Sequence, residues 1–103
     1  MRAGFNVTTD WDDEKAESNL AKHDIAFEVA ATVFLDPLAV TIFDPDHSED
    51  EHRWITIGMA ENEHVLLVVH TATELEPNMV AVRIISARKP TRRELRRYRE
   101  GAT

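Results

Sequence analysis

Arg53-Trp54-Ile55-Thr56-Ile57-Gly58-Met59 and, after a short polar stretch, His64-Val65-Leu66-Leu67-Val68-Val69-His70-Thr71 decide the fold class. Both runs are dense in β-branched and aromatic residues, which suit a pleated, half-buried surface. The residues between them are few and polar, so the two runs read as a hairpin. Outward from this pair, Leu38 to Phe43 supplies a strand before it and Val80 to Ser86 a strand after it. Short polar connections make an antiparallel meander the simplest sheet. Further upstream, Phe5 and Val7 alternate with polar residues and suggest a short first strand.

Two helices are expected between that strand and the meander. Asp12 is placed to cap a helix running to about His23, with Asp13 and Glu14 in the first turn where the helix dipole favours acids. Ala16, Leu20 and His23 form its expected inner stripe, with Lys15, Asn19 and Lys22 on a neighbouring polar stripe. Phe27 to Phe34 fits a second helix, ended by Asp36-Pro37 because the residue before proline disfavours helical dihedrals. A last helix opens at Thr91, with Glu94 three residues on in a capping-box pattern. Thr91, Leu95 and Tyr98 are read as facing inward, with Arg92, Arg96 and Arg99 outward. The expectation is one α+β domain over 1–103, with an antiparallel sheet of four to five strands, two N-terminal helices and one C-terminal helix. All three helices are expected on one face.

The net charge is −7, which by itself argues against a nucleic-acid partner. The charge is unevenly placed, however. From Arg83 to the end there are eight basic residues and only Glu94 and Glu100 as acids, a net +6, which leaves −13 for residues 1–82. Such asymmetry suits one face for an anionic partner and another that repels anions or attracts a basic protein. Cysteine is absent, which excludes disulfides, cysteine-ligated zinc and a thiol nucleophile. The first ten residues do not resemble a signal peptide and Val65 to Val69 is too short to span a bilayer, so a cytoplasmic protein with no membrane association is expected.

Three stretches resemble a known family. They are Trp11-Asp12, Lys15, Asn19, Lys22-His23, Phe27-Glu28 and Ala30; then Arg53 to Gly58 with Leu66 to Thr71; then Arg83-Ile84-Ile85-Ser86-Ala87-Arg88, Thr91 to Glu94 and Tyr98. Together they resemble the BrnT family of toxins, over about 10–101. Asp24 departs from it, standing where the family has glycine after Lys-His. The resemblance implies a RelE-like fold, RNA cleavage that arrests translation, and a BrnA-like ribbon-helix-helix antitoxin. It implies contact with operator DNA only through that antitoxin.

Metal-independent RNA cleavage uses the neighbouring 2′-hydroxyl as nucleophile. It needs a base, charge stabilisation at the phosphate and an acid for the leaving oxygen. Arg83, Arg88 and Arg53 are candidates for the phosphate, because a guanidinium stays charged and matches phosphate oxygens. Arg83 is read on the same strand face as Ile85, and its alternative role is a salt bridge to an acid such as Glu28 or Glu51. Lys22 and His23 join the catalytic candidates through the resemblance, and His70 is a candidate general base. Lys15, Arg92, Arg96, Arg99 and Tyr98 are candidates for holding RNA or antitoxin, although Tyr98 also suits core packing. Asp44, Asp46, Ser48 and Asp50 have calcium-loop spacing, but Glu49 and Ile55 stand where glycine and glutamate are required. No metal or cofactor is expected. A looser metal site at His47 and His52, supporting a hydrolase, is the weakest alternative. The principal alternative is a binding module that has lost cleavage and serves as antitoxin partner and co-repressor.

Overall fold

The computed structural model describes residues 6–47 and 51–101. The order is β1 (Asn6–Trp11), α1 (Asp13–His23), α2 (Phe27–Ala30), a 3-10 turn (Ala31–Leu35), β2 (Val40–Asp44), a second 3-10 turn (Pro45–His47), β3 (Arg53–Met59), β4 (Val65–Glu76), β5 (Met79–Arg88) and α3 (Arg92–Glu100). The meander holds, with β2, β3, β4 and β5 pairing antiparallel in sequence order. The fully antiparallel expectation does not. β1 pairs β5 in parallel, giving a five-stranded mixed sheet in the order β1-β5-β4-β3-β2. α1 and α2 carry the chain from β1 to β2 at the opposite edge, and the meander then brings β5 back beside β1 in the same direction, the long connection a parallel pair needs. Phe5, the expected start of β1, lies outside the described residues, and the strand runs on to Trp11.

The helices divide between the two faces, contrary to the one-face expectation. On one face α1, α2 and the first 3-10 turn cover Leu66, Val68, Val82, Ile84 and Ala87 through Phe27, Ala30 and Val33. Phe27 is fully buried and meets Trp11 edge-on, with ring centroids 5.9 Å apart. Burying such a side chain contributes roughly 1.5–3 kcal/mol. Gly58 admits this layer because a Cβ there would lie 3.1 Å from the Val33 carbonyl oxygen and 3.1 Å from Ala39 Cβ. Ile57 and Leu67, register partners and fully buried, point to the other face, where α3 lies against β3.

Two details of the helices differ from the expected ones. The Phe27–Phe34 segment makes one α-turn and then tightens to 3-10 geometry. In α1 the inner stripe is rotated: Leu20 is 48% exposed and His23 is exposed, whereas Asn19 is buried at 5%. The reason is a hydrogen-bond demand. β1 ends opposite Ile84, so β5 loses its neighbour beyond that point. Asn19 fills the gap, its Oδ1 accepting from the Ala87 N–H at 3.0 Å and its Nδ2 donating to the Ile25 carbonyl at 3.0 Å.

Candidate functional site

β5 carries two of the candidate side chains, Arg83 and Arg88, and a bulge governs where they point. Val69 pairs with Ser86 but His70 with Ile84, so Ile85 is an extra residue. The bulge changes the parity of the strand. Val82 and Ile84 are buried before it, and Ala87 after it. Arg83 and Arg88 therefore both point to the face opposite α1 and α2, although they lie five positions apart. Simple alternation, which groups Arg83 with Ile85 and Ala87, does not hold here.

On that face a polar row crosses the sheet. Asp44 pairs with Arg53, Thr71 with Arg83, and Arg83 with Asp10. One step beyond the Trp54–His70 pair brings Arg53 opposite Thr71. The two arginines thus flank Thr71, roughly 10 Å apart by strand spacing. Each has a carboxylate at hand. Arg83 Nη1 donates to Asp10 Oδ2 at 3.1 Å, with the two side chains 51% and 69% exposed. Arg53 lies 3.9 Å from Glu51. The bridging partner of Arg83 is thus Asp10, supplied by the parallel strand, rather than Glu28 or Glu51.

Arg88 is held more firmly. Its two terminal nitrogens donate to the two Glu94 oxygens at 2.9 and 3.0 Å, and Nη1 also donates to the Lys89 carbonyl. The bidentate pair drives the Glu94 carboxyl down to about 2 and raises Arg88 further. Glu94 also accepts from the Thr91 N–H at 2.8 Å while Thr91 Oγ accepts from the Glu94 N–H at 3.2 Å, which completes the capping box. Arg88 therefore docks the start of α3. Thr91, as the cap, is exposed; Leu95 and Tyr98 are half-buried and make the inward stripe.

Tyr98 anchors the other end of α3. Its hydroxyl donates to Asp36 Oδ2 at 2.7 Å, and the same carboxylate accepts from the Met59 and Leu38 N–H groups. Burial, followed by the neighbouring carboxylate, pushes the phenol up to about 12. Burial raises Asp36 as well, but the Met59 N–H, the Tyr98 hydroxyl and the Leu38 N–H outweigh it and hold the acid ionised below its ordinary value.

His70, the candidate general base, is 2% exposed. Its Nδ1 lies 3.0 Å from the Thr71 carbonyl, an acceptor, so Nδ1 carries the proton. Nε2 then accepts from the Thr56 hydroxyl at 2.7 Å, and Thr56 in turn accepts from Thr41 at 2.9 Å. Phe34 closes the site edge-on at 4.9 Å. Burial lowers the imidazole pKa, partly offset by the Thr71 bond, and the ring is a satisfied neutral member of the core. It does not reach the open face.

Lys15, Lys22 and His23 are all exposed and come together in a cleft of about 170 Å³ between α1 and the β5 edge, completed by Ser18, Asn19, Ile85 and Ser86. The bulge thus has the arginine face on one side and this cationic cleft at its edge. Asp24 follows at φ 58°, the left-handed cap, its N–H donating to the Leu20 carbonyl. Of the proposed metal pair, His52 packs edge-on against Phe43 at 5.4 Å. Residues 48–50 and the His47 side chain lie outside the described residues. Among the described residues no cluster of three metal-ligating side chains occurs, and no helix is long and apolar enough to cross a membrane.

Sequence reasoning gave no role to Asp10 or Thr56, and it placed Asn19 on a polar stripe and Asp36 at a helix end without the partners they hold. Asp36 alone carried a local signal, since Asp-Pro-Leu is a turn in which the aspartate bonds two residues on.

Residues 11–94 match the model of the family described as ribonuclease toxin, BrnT, of type II toxin–antitoxin systems. The fold is similar to that of the Brucella abortus ribonuclease toxin BrnT, known at 1.1 Å resolution. The TM-score is 0.57 at 20% identity, covering 84% of this chain and all of that one. No curated protein matches the chain.

Proposed function

The chain belongs to the BrnT family of ribonuclease toxins of type II toxin–antitoxin systems, and we propose that it is itself an endoribonuclease that arrests translation and is held inactive by a BrnA-like antitoxin. The observation that carries this reading is the β5 bulge. It sets Arg83 on an open sheet face while its own residues Ile85 and Ser86 wall the cleft that holds Lys15, Lys22 and His23.

An RNA strand crossing β5 at the bulge meets cations on both sides. Arg83, with Arg53 beyond Thr71, stabilises charge on the scissile phosphate. Lys22 and His23 serve the proton transfers or hold the adjoining phosphate from the edge. Arg88 acts through α3, which it docks. Cleavage by 2′-hydroxyl attack needs no divalent ion. The test is to express the chain alone and with its antitoxin, and to incubate purified protein with RNA in excess EDTA. Growth arrest relieved by the antitoxin, with cyclic phosphate or 3′-phosphate ends in EDTA, is the expected result. Strict dependence on magnesium or zinc defeats the mechanism.

One observation favours the binding-module alternative. Arg53, Arg83 and Arg88 each have a carboxylate partner of the chain's own, Glu51, Asp10 and Glu94. A chain that never met RNA would keep such pairs. Absence of growth arrest, together with intact antitoxin binding, selects that reading.

A further inference from the structure

β2 is an edge of the sheet: it pairs β3 on one side, and no strand of the described residues pairs its other side. Natural edge strands are blunted by proline, lysine, a bulge or a covering element. Among the described residues β2 contains no proline, lysine or bulge; its one charge is the terminal Asp44 of a five-residue strand. Val40-Thr41-Ile42-Phe43-Asp44 is β-branched and aromatic up to its last residue, and its register with β3 is unbroken. The bulges of this sheet lie between β4 and β5.

The two faces of this edge differ in chemistry. Ile42 lies on the α3 face, where it lines a groove of about 370 Å³ with Ile57, Arg93, Arg96 and Arg97 and with two acids, Glu100 and the Glu94 that Arg88 already holds. Phe43 lies on the opposite face, 39% exposed. It meets Trp54 edge-on at 5.2 Å. A strand laid along β2 would send alternate side chains to three arginines and to an aromatic surface.

We propose that β2 is the docking edge for an extended segment of the chain's protein partner, which adds a sixth strand and alternates acidic with apolar residues. A second copy of this chain fits worse. Antiparallel pairing of two β2 edges about a two-fold axis keeps both α3 helices on one face and sets two groups of three arginines side by side. RNA fits worse as well. It lacks a peptide ladder to pair with the edge, and Asp46 and Glu51 stand near the far end of β2. The inference takes from the preceding reading only that a dedicated protein partner exists. Growth arrest and cleavage do not report on β2, and peptide binding does not report on cleavage, so each reading can fail alone.

The probe is a short fluorescein-labelled peptide alternating glutamate and valine, added to the full chain and followed by anisotropy and by amide hydrogen exchange. Salt-sensitive binding that slows exchange at Val40–Asp44 is expected. The combined variant Arg93→Glu, Arg96→Glu, Arg97→Glu should weaken binding by about tenfold or more. A peptide of the same sequence, N-methylated at alternate amides, should not bind, and this control leaves the protein unaltered. Equal binding of the methylated peptide, or of one with its glutamates and valines in separate blocks, overturns the proposal. Protection of β2 that rises with protein concentration alone assigns the edge to a second copy and also overturns it. So does protection produced by poly(U) in place of the peptide.

Discussion

Arg83 and Asp10 are register partners across the parallel β5–β1 pair, and their side chains meet at 3.1 Å with both more than half exposed. In the proposed site the acid takes the place of a phosphate oxygen, and water screens the pair. Exposed pairs of this kind contribute about 0–1 kcal/mol. Arg83→Ala should leave the melting temperature almost unchanged while abolishing growth arrest, with cleavage reduced by about 10²–10³ as for a lost oxyanion donor. Asp10→Asn should do the reverse and tighten RNA binding, because the guanidinium no longer exchanges one anion for another. A thermal melt beside an RNA titration checks both, and a folded, fully toxic Arg83→Ala variant removes Arg83 from the mechanism.

Asn19 gives the opposite expectation for a polar residue. Its amide satisfies two buried backbone groups, Ala87 N–H and Ile25 C=O. Asn19→Ala leaves both without a partner and should destabilise by about 2–4 kcal/mol. Asn19→Asp retains the acceptor toward Ala87 and loses the donor toward Ile25, so its loss should be different from that of alanine. Urea denaturation of the three proteins measures this.

Three groups, Glu94, Asp36 and His70, make stability depend on acid. Glu94 is held near 2 by Arg88, below its ordinary 4.5. A depressed carboxyl stabilises the fold above its unfolded pKa, and that stabilisation disappears as pH falls from about 4.5 toward about 2. Solvent screening limits the effect to on the order of 1 kcal/mol. Buried His70 is also depressed, below 6.5, but here the charged form is the one penalised. The unfolded chain binds this proton first, so stability starts to fall once pH drops below about 6.5. Melting temperatures from pH 8 to 3 should show an upper step absent in His70→Gln and a lower step reduced in Glu94→Gln, the remainder coming from Asp36, which is also held below its ordinary value.

Asp24 holds a left-handed backbone conformation, φ 58°, at the end of α1. An L side chain there costs up to roughly 1–2 kcal/mol, less for aspartate than for most residues. Asp24→Gly removes this strain at some cost in unfolded-state entropy, and a net gain of about 0.5 kcal/mol is expected from denaturant melts.

Much of this fold was legible in the order of its apolar runs, and the reasons for the failures are specific. The meander and the capping box of α3 follow from local patterns, and the structure contains both. The parallel placement of β1 is not a local property, because Asn6–Trp11 reads alike beside either edge. The bulge at Ile85 is equally silent in sequence, yet it decides which side of the sheet Arg83 and Arg88 share. His70 shows a third limit. A histidine ending an apolar strand reads as a candidate base until the Thr41–Thr56 chain that satisfies it is seen. The arginines were readable as a group, but their acids came from β1, from α3 and from the segment before β3, which only the fold brings near.

The outer arginines of α3 are expected to serve both RNA and the antitoxin without contributing to the fold. Arg92, Arg96 and Arg99 are exposed. The helix is docked by other groups: the Arg88–Glu94 pair at its start, Leu95 in its middle and the Tyr98–Asp36 bond near its end. Changing the three outer arginines to glutamate leaves these contacts in place, so the melting temperature should change little, by the equivalent of less than about 1 kcal/mol. Phosphate contacts dominate nucleic-acid affinity, so RNA binding should fall steeply and lose much of its salt dependence. Antitoxin binding should fall too, at low salt more than at high salt, because an acidic segment associates through the same charges. Arg96 also lines the groove beside β2, whereas Arg92 and Arg99 do not. Restoring Arg96 alone and, separately, Arg92 alone in the triple variant separates the two surfaces. Recovery of antitoxin affinity with Arg96 but not with Arg92 assigns the contact to the groove, and equal recovery with either assigns it to the outer stripe. Antitoxin affinity unchanged by all three substitutions, at low and at high salt, shows that the antitoxin does not act by covering this helix.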